Sequence, residues 1–227
     1  ASGEGHLSQF DRAIAAVIQV FDERGELDRA RRVGSGGPGG GSARGPLAFP
    51  GGLACDATRG RLYVADTNHH QVLVATTDGA LVGRLGSSAA SAVDGVADAS
   101  GFARPQGLAV QPSDGLVFVA DTGNHLVRAA DPDSGAVTTI AGTGVQARPG
   151  DRGGGGDSTA LSSPWDVYPV GRLLIIAMAG VHQLWALDVG HGLVFALAGS
   201  GLEARLDGDL DDSAFAQPSA LAGADGA

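Results

Sequence analysis

The chain has 227 residues, 43% of them hydrophobic but only 5% aromatic, so it can bury one large or two small cores built from Val, Leu, Ile and Ala. Its formal net charge is -10 and it contains no Lys. An acidic chain repels phosphate backbones, which argues against nucleic acid as a partner, and the missing Lys excludes a Schiff-base or P-loop lysine. With one cysteine, Cys55, there is no internal disulfide, and no apolar run approaches the ~20 residues of a membrane span.

Residues 1–33 read as a helical connector. Within them, Phe10, Ile14, Val17, Ile18 and Phe21 form one apolar stripe on a helix over 8–27, with Ser8 as N-cap and Gly25 as stop. Residues 34–46 are a Gly-rich linker by composition. No strand precedes this run and no Gly-Lys-Ser/Thr follows it, so it is not a phosphate loop. No secretory leader is visible, and the start at Ala1 rather than Met is what an internal or trimmed segment is expected to show.

From Leu47 the sequence repeats itself. Pro50, Pro105, Pro164 and Pro218 each open a short apolar run and recur in steps of 55, 59 and 54 residues. Each complete unit predicts four strands. They lie at 52–57, 61–66, 70–75 and 80–85; at 106–111, 116–120, 125–130 and 137–141; and at 165–169, 172–177, 182–187 and 193–198. Between the second and third strands stands a polar turn: Asp66 to His70, Asp121 to His125, and a degraded copy ending at His182. Four strands at a fixed period predict an all-β propeller over 47–227, with three full blades and the first strand of a fourth. A propeller needs about four to eight blades to close, so this one is expected to be incomplete. The surplus length falls between blades, and the loop 145–163 with its run of four glycines is expected to be mobile.

In an up-and-down meander these turns and the proline-led openings share one end of the blades. That end collects Asp66, Asn68, His70, Asp121, Asn124, His125, Trp165 and His182 as a candidate binding face. Two readings compete. The ring of polar side chains binds a partner, or Asp and His fix each hairpin through local hydrogen bonds to their own backbone. Three histidines, one per blade, also suggest zinc with an open position. Identical register argues for structure instead, because metal ligands rarely repeat with a repeat, and no metal or other cofactor is assigned. Asp94-Gly95 and Asp207 to Asp212 do not space as an EF-hand and read as solvated turns. Cys55 reads as a small buried hydrophobe, His6 and His191 as surface residues, and Trp185 as packing. No catalytic residue is assigned.

The phrases Val64-Ala-Asp-Thr-Asn-His69, Pro105-Gln-Gly-Leu-Ala109 and Val119-Ala-Asp-Thr-Gly-Asn-His-Leu126 resemble NHL repeats, whose signature Asn124-His125-Leu126 spells out. Ser163-Pro-Trp-Asp166, Ile176 to Gln183 and Ala214 to Ser219 are similar to the NHL subfamily in which a thioredoxin-like domain precedes the propeller, including its suppressor-of-quenching branch. That resemblance implies a non-catalytic scaffold with a protein partner and an intramolecular contact with a thioredoxin-like domain. Any redox chemistry would then lie in that domain, whose Cys pair this chain lacks. It implies no membrane insertion by this segment, and a cytoplasmic or thylakoid-lumen location. The alternatives are a metal-dependent propeller hydrolase or lyase, and an RNA-binding NHL propeller, which the charge opposes.

Overall fold

A computed structural model describes residues 47–148 and 150–223. The helix expected at 8–27, the connector 1–33 and the linker 34–46 lie outside the described residues. Each strand expected in the three full blades forms, with ends within two residues of the prediction, whereas the first strand expected of a fourth blade does not form among the described residues.

The first sheet runs β1 (Pro50–Asp56), β2 (Arg61–Asp66), β3 (Gln71–Thr76) and β4 (Leu81–Leu85) in simple antiparallel order. The second adds a strand to this plan. Before its four blade strands, β6 (Leu108–Val110), β7 (Val117–Asp121), β8 (Leu126–Ala130) and β9 (Ala136–Ala141), comes a two-residue β5 (Gly95–Val96) that pairs with β9 on the outer edge. In the third sheet, β11 (Pro164–Val170), β12 (Leu173–Met178), β13 (Gln183–Asp188) and β14 (Leu193–Ala198) receive β10 (Gly153–Gly155) against β14 in the same way. Within the glycine-containing segment 145–163, Gly153–Gly155 are thus paired in a sheet and not loop. Its glycines are an edge strand, because the backbone of β14 offers unpaired groups that a side-chain-free segment can approach.

The blades pack face to face. β7 shows why a continuous apolar run belongs in the middle blade. Successive side chains point to opposite faces, and both faces are covered. Val117 and Val119 join Tyr63, Ala65, Val72 and Val74 in a core between blades 1 and 2. Phe118 and Ala120 join Val167, Leu174, Ile176 and Trp185 in a core between blades 2 and 3. All five residues of β7 are buried. Burying each of these aliphatic side chains contributes about 1.5–3 kcal/mol.

Residues 217–223 form no assigned strand, yet they are fixed beside β11. Leu221 N–H donates to Asp166 at 2.7 Å and Gln217 N–H to His182 Nδ1 at 3.2 Å.

Candidate functional site

The three hairpins that end β2, β7 and β12 share one backbone. A three-residue 3₁₀ turn (Thr67–His69, Thr122–Asn124, Ala179–Val181) leads to a left-handed residue: His70 (φ 55°), His125 (φ 55°) and His182 (φ 56°). Left-handed conformations are uncommon outside Gly, with His, Asn and Asp among the tolerated exceptions. A second left-handed residue precedes each opening proline: Phe49, Arg104, Ser163 and Gln217.

Each histidine meets one of these residues in the following blade. Nδ1 of His70 accepts the Arg104 N–H at 3.1 Å, His125 accepts Ser163 N–H at 3.0 Å, and His182 accepts Gln217 N–H at 3.2 Å. The threonines reach the same place: Thr67 Oγ1 donates to Pro105 O and Thr122 Oγ1 to Pro164 O, at 2.7 and 2.6 Å. The polar turn of one blade therefore clamps the opening of the next.

The aspartates act within their own blade. Asp66 Oδ1 accepts Ala48 N–H and Asp121 Oδ1 accepts Ala103 N–H, both at 2.7 Å. In the third blade Met178 takes this place, and its sulfur accepts Ser162 N–H at 3.4 Å. The expectation that Asp and His bond their own turn backbone is corrected: these partners lie 18 to 38 residues away. Nor do Asp66 and Asp121 pair with the register histidines. Asp66 Oδ2 contacts His69 Nδ1 and Gln71 Nε2, at 2.7 and 2.8 Å. Asp121 Oδ2 accepts from Asn124 Nδ2 at 2.8 Å and Arg128 Nη1 at 3.0 Å.

The candidate face thus separates into layers. Asp66 and Asp121 are fully buried beneath it. His70, Asn124, His125 and His182 are half-buried, with one ring nitrogen of each histidine, Nδ1, engaged, and Asn124 also donates to Ser91 O. Asn68 is exposed, and Trp165 is 38% exposed at the start of β11. Burial holds the His125 pKa below its ordinary value, consistent with a neutral ring whose Nδ1 accepts. Burial pushes Asp121 up to about 6, opposed by Asn124, the Ala103 N–H and Arg128. Among the described residues no three of His, Cys, Asp and Glu gather where they could hold one metal ion.

The residue that sequence reading missed is Arg128. It is completely buried. Besides Asp121 it donates to Gly101 O (2.9 Å), Val93 O (3.0 Å) and Asp94 Oδ1 (2.7 Å), and it lies 5.5 Å above the Phe102 ring. Asp94, expected to be a solvated turn, also accepts the N–H and Oγ1–H of Thr139 on β9. It is a structural anion. The available signal was an Arg at a strand position where the other blades carry Leu73 and Trp185.

The innermost strands β1, β6 and β11, with residues 219–221, surround an open cavity of about 500 Å³. Glycine lets the strands converge there: a Cβ on Gly107 would lie 2.5 Å from Asp166 Cα. Trp165, Asp166, Tyr168 and Cys55 line the cavity. Cys55 is exposed, correcting its assignment to the core. The Asp166 carboxylate is held by Val167 N–H and Leu221 N–H, and burial raises its pKa.

Known proteins agree with this geometry. The NHL repeat family profile matches residues 47–75 and 102–129. The chain is 36% identical over 240 residues to NHL repeat-containing protein 2 of Bos taurus, covering 96% of this chain and 32% of that one. It is also 36% identical over 228 residues to protein Suppressor of quenching 1, chloroplastic, of Arabidopsis thaliana, covering 97% of this chain and 21% of that one. It therefore spans about a third and about a fifth of these relatives. Among solved structures, a structural genomics protein of unknown function from Bacteroides thetaiotaomicron aligns with TM-score 0.59 at 19% identity, over 75% of this chain and 41% of that one. An auxiliary nutrient binding protein from Bacteroides ovatus aligns with TM-score 0.57 at 18% identity, over 78% and 43%. At such identities the structures attest to the propeller fold alone.

Proposed function

Because the chain carries NHL repeats on a propeller scaffold, we propose that it is a non-catalytic protein-binding module of a larger protein. One observation supports this above the others. The repeated Asp and His side chains, which would be the candidates for chemistry, are occupied in holding each blade together and to the next. What remains outward at that end is a rim of turn backbone, Asn68, the outer edges of the histidines, and the half-exposed indole of Trp165. A rigid aromatic at the margin of a polar rim is a common anchor for a protein partner.

The partner class is a thioredoxin-like domain, carried by the same polypeptide or presented by its target. This follows from the resemblance to the subfamily that joins the two domains. An acidic, Lys-free surface disfavours nucleic acid. Among the described residues no helix is long and apolar enough to cross a membrane. The compartments that fit the resemblance are the cytoplasm and the thylakoid lumen.

Titration calorimetry of the purified chain with a thioredoxin-like domain of the subfamily tests the proposal. Micromolar association is expected, and Trp165→Ala should weaken it at least tenfold. No association at several hundred micromolar, or binding indifferent to Trp165→Ala, would overturn it. So would stoichiometric metal together with metal-dependent turnover.

A further inference from the structure

The segment that carries Asp94 is written a second time at residues 199–218, down to its hydrogen bonds. In the first copy Ser87 N–H donates to Ser100 O, Ser91 N–H to Phe102 O and Gly101 N–H to Val93 O, at 2.9, 3.1 and 3.1 Å. In the second, Ser200 N–H donates to Ser213 O, Ala204 N–H to Phe215 O and Ala214 N–H to Leu206 O, at 2.7, 3.2 and 3.0 Å. Phe102 packs so closely on Gly86 that a Cβ there would meet the ring at 2.8 Å. Phe215 does the same on Gly199 at 2.9 Å. The equivalence is residue for residue, with Asp94 matched by Asp207.

The first copy has a defined task. Asp94, the carbonyls of Val93 and Gly101, and the Phe102 ring receive the guanidinium of Arg128 from the third strand of the blade that follows. Their counterparts are Asp207, the carbonyls of Leu206 and Ala214, and the Phe215 ring. These four residues line one open pocket of about 820 Å³. Asp207 is exposed and forms no ion pair among the described residues; Arg205, which lines the same pocket, does not bridge to it.

The third blade supplies an internal control. There Gly154 pairs with Val194 as Gly95 pairs with Val137. The position of Asp94 is Gly153, and the position of Arg128 is Trp185. Where the acid is absent the arginine is absent too. Asp207 restores the acid.

We propose that Leu206, Asp207, Ala214 and Phe215 form a guanidinium-binding subsite. Its ligand is an arginine on the third strand of a further blade, packed on blade 3 as blade 2 packs on blade 1. The acid selects a cation, and the ring with two carbonyls selects a planar, multiply donating cation over an ammonium. The same blade would cover Leu202, Leu206 and Leu210, which are 56–64% exposed.

The test supplies that blade from the protein itself. In the full chain, residues 219–227 are replaced by a second copy of residues 106–142, which brings its own Arg128. Denaturation and amide exchange are then measured for a double-mutant cycle of Asp207→Asn with R128L in the copy. The expected result is that Asp207→Asn lowers the folded-to-unfolded ratio of the added blade by up to about fivefold, that R128L, which also strands the copy's own Asp121, lowers it about a thousandfold, and that the pair together costs no more than R128L alone. Asp207→Asn in the unextended chain should leave its stability unchanged. Additive losses in the cycle, or an equal loss in the unextended chain, overturn the proposal. A second measurement does not depend on the added blade folding. Saturation-transfer NMR on the unextended chain compares N-acetyl-arginine amide with its uncharged citrulline isostere. A signal at the Phe215 ring for arginine alone, abolished by Asp207→Asn, supports the subsite. Equal signals, or a signal indifferent to Asp207→Asn, refute it.

Discussion

Replacing Arg128 with Met keeps much of the side chain's volume and removes its charge. The guanidinium is completely buried and donates to four oxygens at 2.7 to 3.0 Å. Its loss falls unevenly on them. Val93 O retains the Gly101 N–H. Asp94 is about half exposed and can rehydrate, so its share is less than ~1 kcal/mol. Gly101 O is left without its donor, at about 1 kcal/mol. The dominant cost is Asp121, a buried carboxylate that keeps only the Ala103 N–H and Asn124. Removing one member of a buried pair typically costs about 3–5 kcal/mol. We expect a total near 4 kcal/mol, about a thousandfold in the folding equilibrium. At an m-value of about 2 kcal/mol/M the urea midpoint at pH 7 should fall by about 2 M. Asp121 is already pushed up to about 6 by burial, and without Arg128 it rises further. A folded-state pKa above the unfolded value means that protonation favours the fold. Arg128→Met should therefore regain stability as the pH falls from 7 to 5, by more than the parent does. Asp121→Asn should rescue part of the loss. A cost below about 1 kcal/mol, or no rescue by Asp121→Asn, would refute the assignment of this pair as the brace of blade 2.

Other outcomes follow from the clamps and the seams. His125→Asn keeps a residue that tolerates the left-handed backbone but removes the titrating acceptor. Because burial lowers the His125 pKa, the neutral ring's contribution is complete above the ordinary value of 6.5 and is lost as pH falls through the folded value. The parent should thus lose more stability than His125→Asn between pH 7 and 5, and parallel pH profiles would contradict the clamp. Gly107→Ala drives a methyl group to 2.5 Å from Asp166 Cα across the seam of blades 2 and 3. It should cost about 1–3 kcal/mol in urea denaturation, whereas Gly60→Ala, which meets nothing, should lose only what its positive φ imposes, about 1 kcal/mol. Cys55 is exposed, so the native protein should react with a disulfide reagent to one equivalent without denaturant; protection until unfolding would place the thiol elsewhere.

The period, the blade strands and the hairpins were legible in the order of residues alone. These are local quantities. Two-fold alternation puts side chains on faces, prolines open the strands, and the Asp-Thr-Gly-Asn phrase before His125 encodes a polar turn. The repetition then identifies the propeller, because only a repeated unit recurs in register.

Tertiary structure decided what the polar residues touch. Asp66 and His70 lie four residues apart in one turn, yet one holds its own blade and the other holds the next. No local rule distinguishes them, since the partners are backbone N–H groups 18 and 34 residues distant. Composition misplaced three features for the same reason. Gly153–Gly155 is loop-like in isolation but pairs with an open strand edge. Asp94 resembles a solvated turn until an arginine 34 residues on is buried against it. Cys55, on an apolar strand, is exposed and lines the open cavity instead of the core. In each case the deciding energy is the pairing of a group with something far along the chain, which exists only once the blades are stacked.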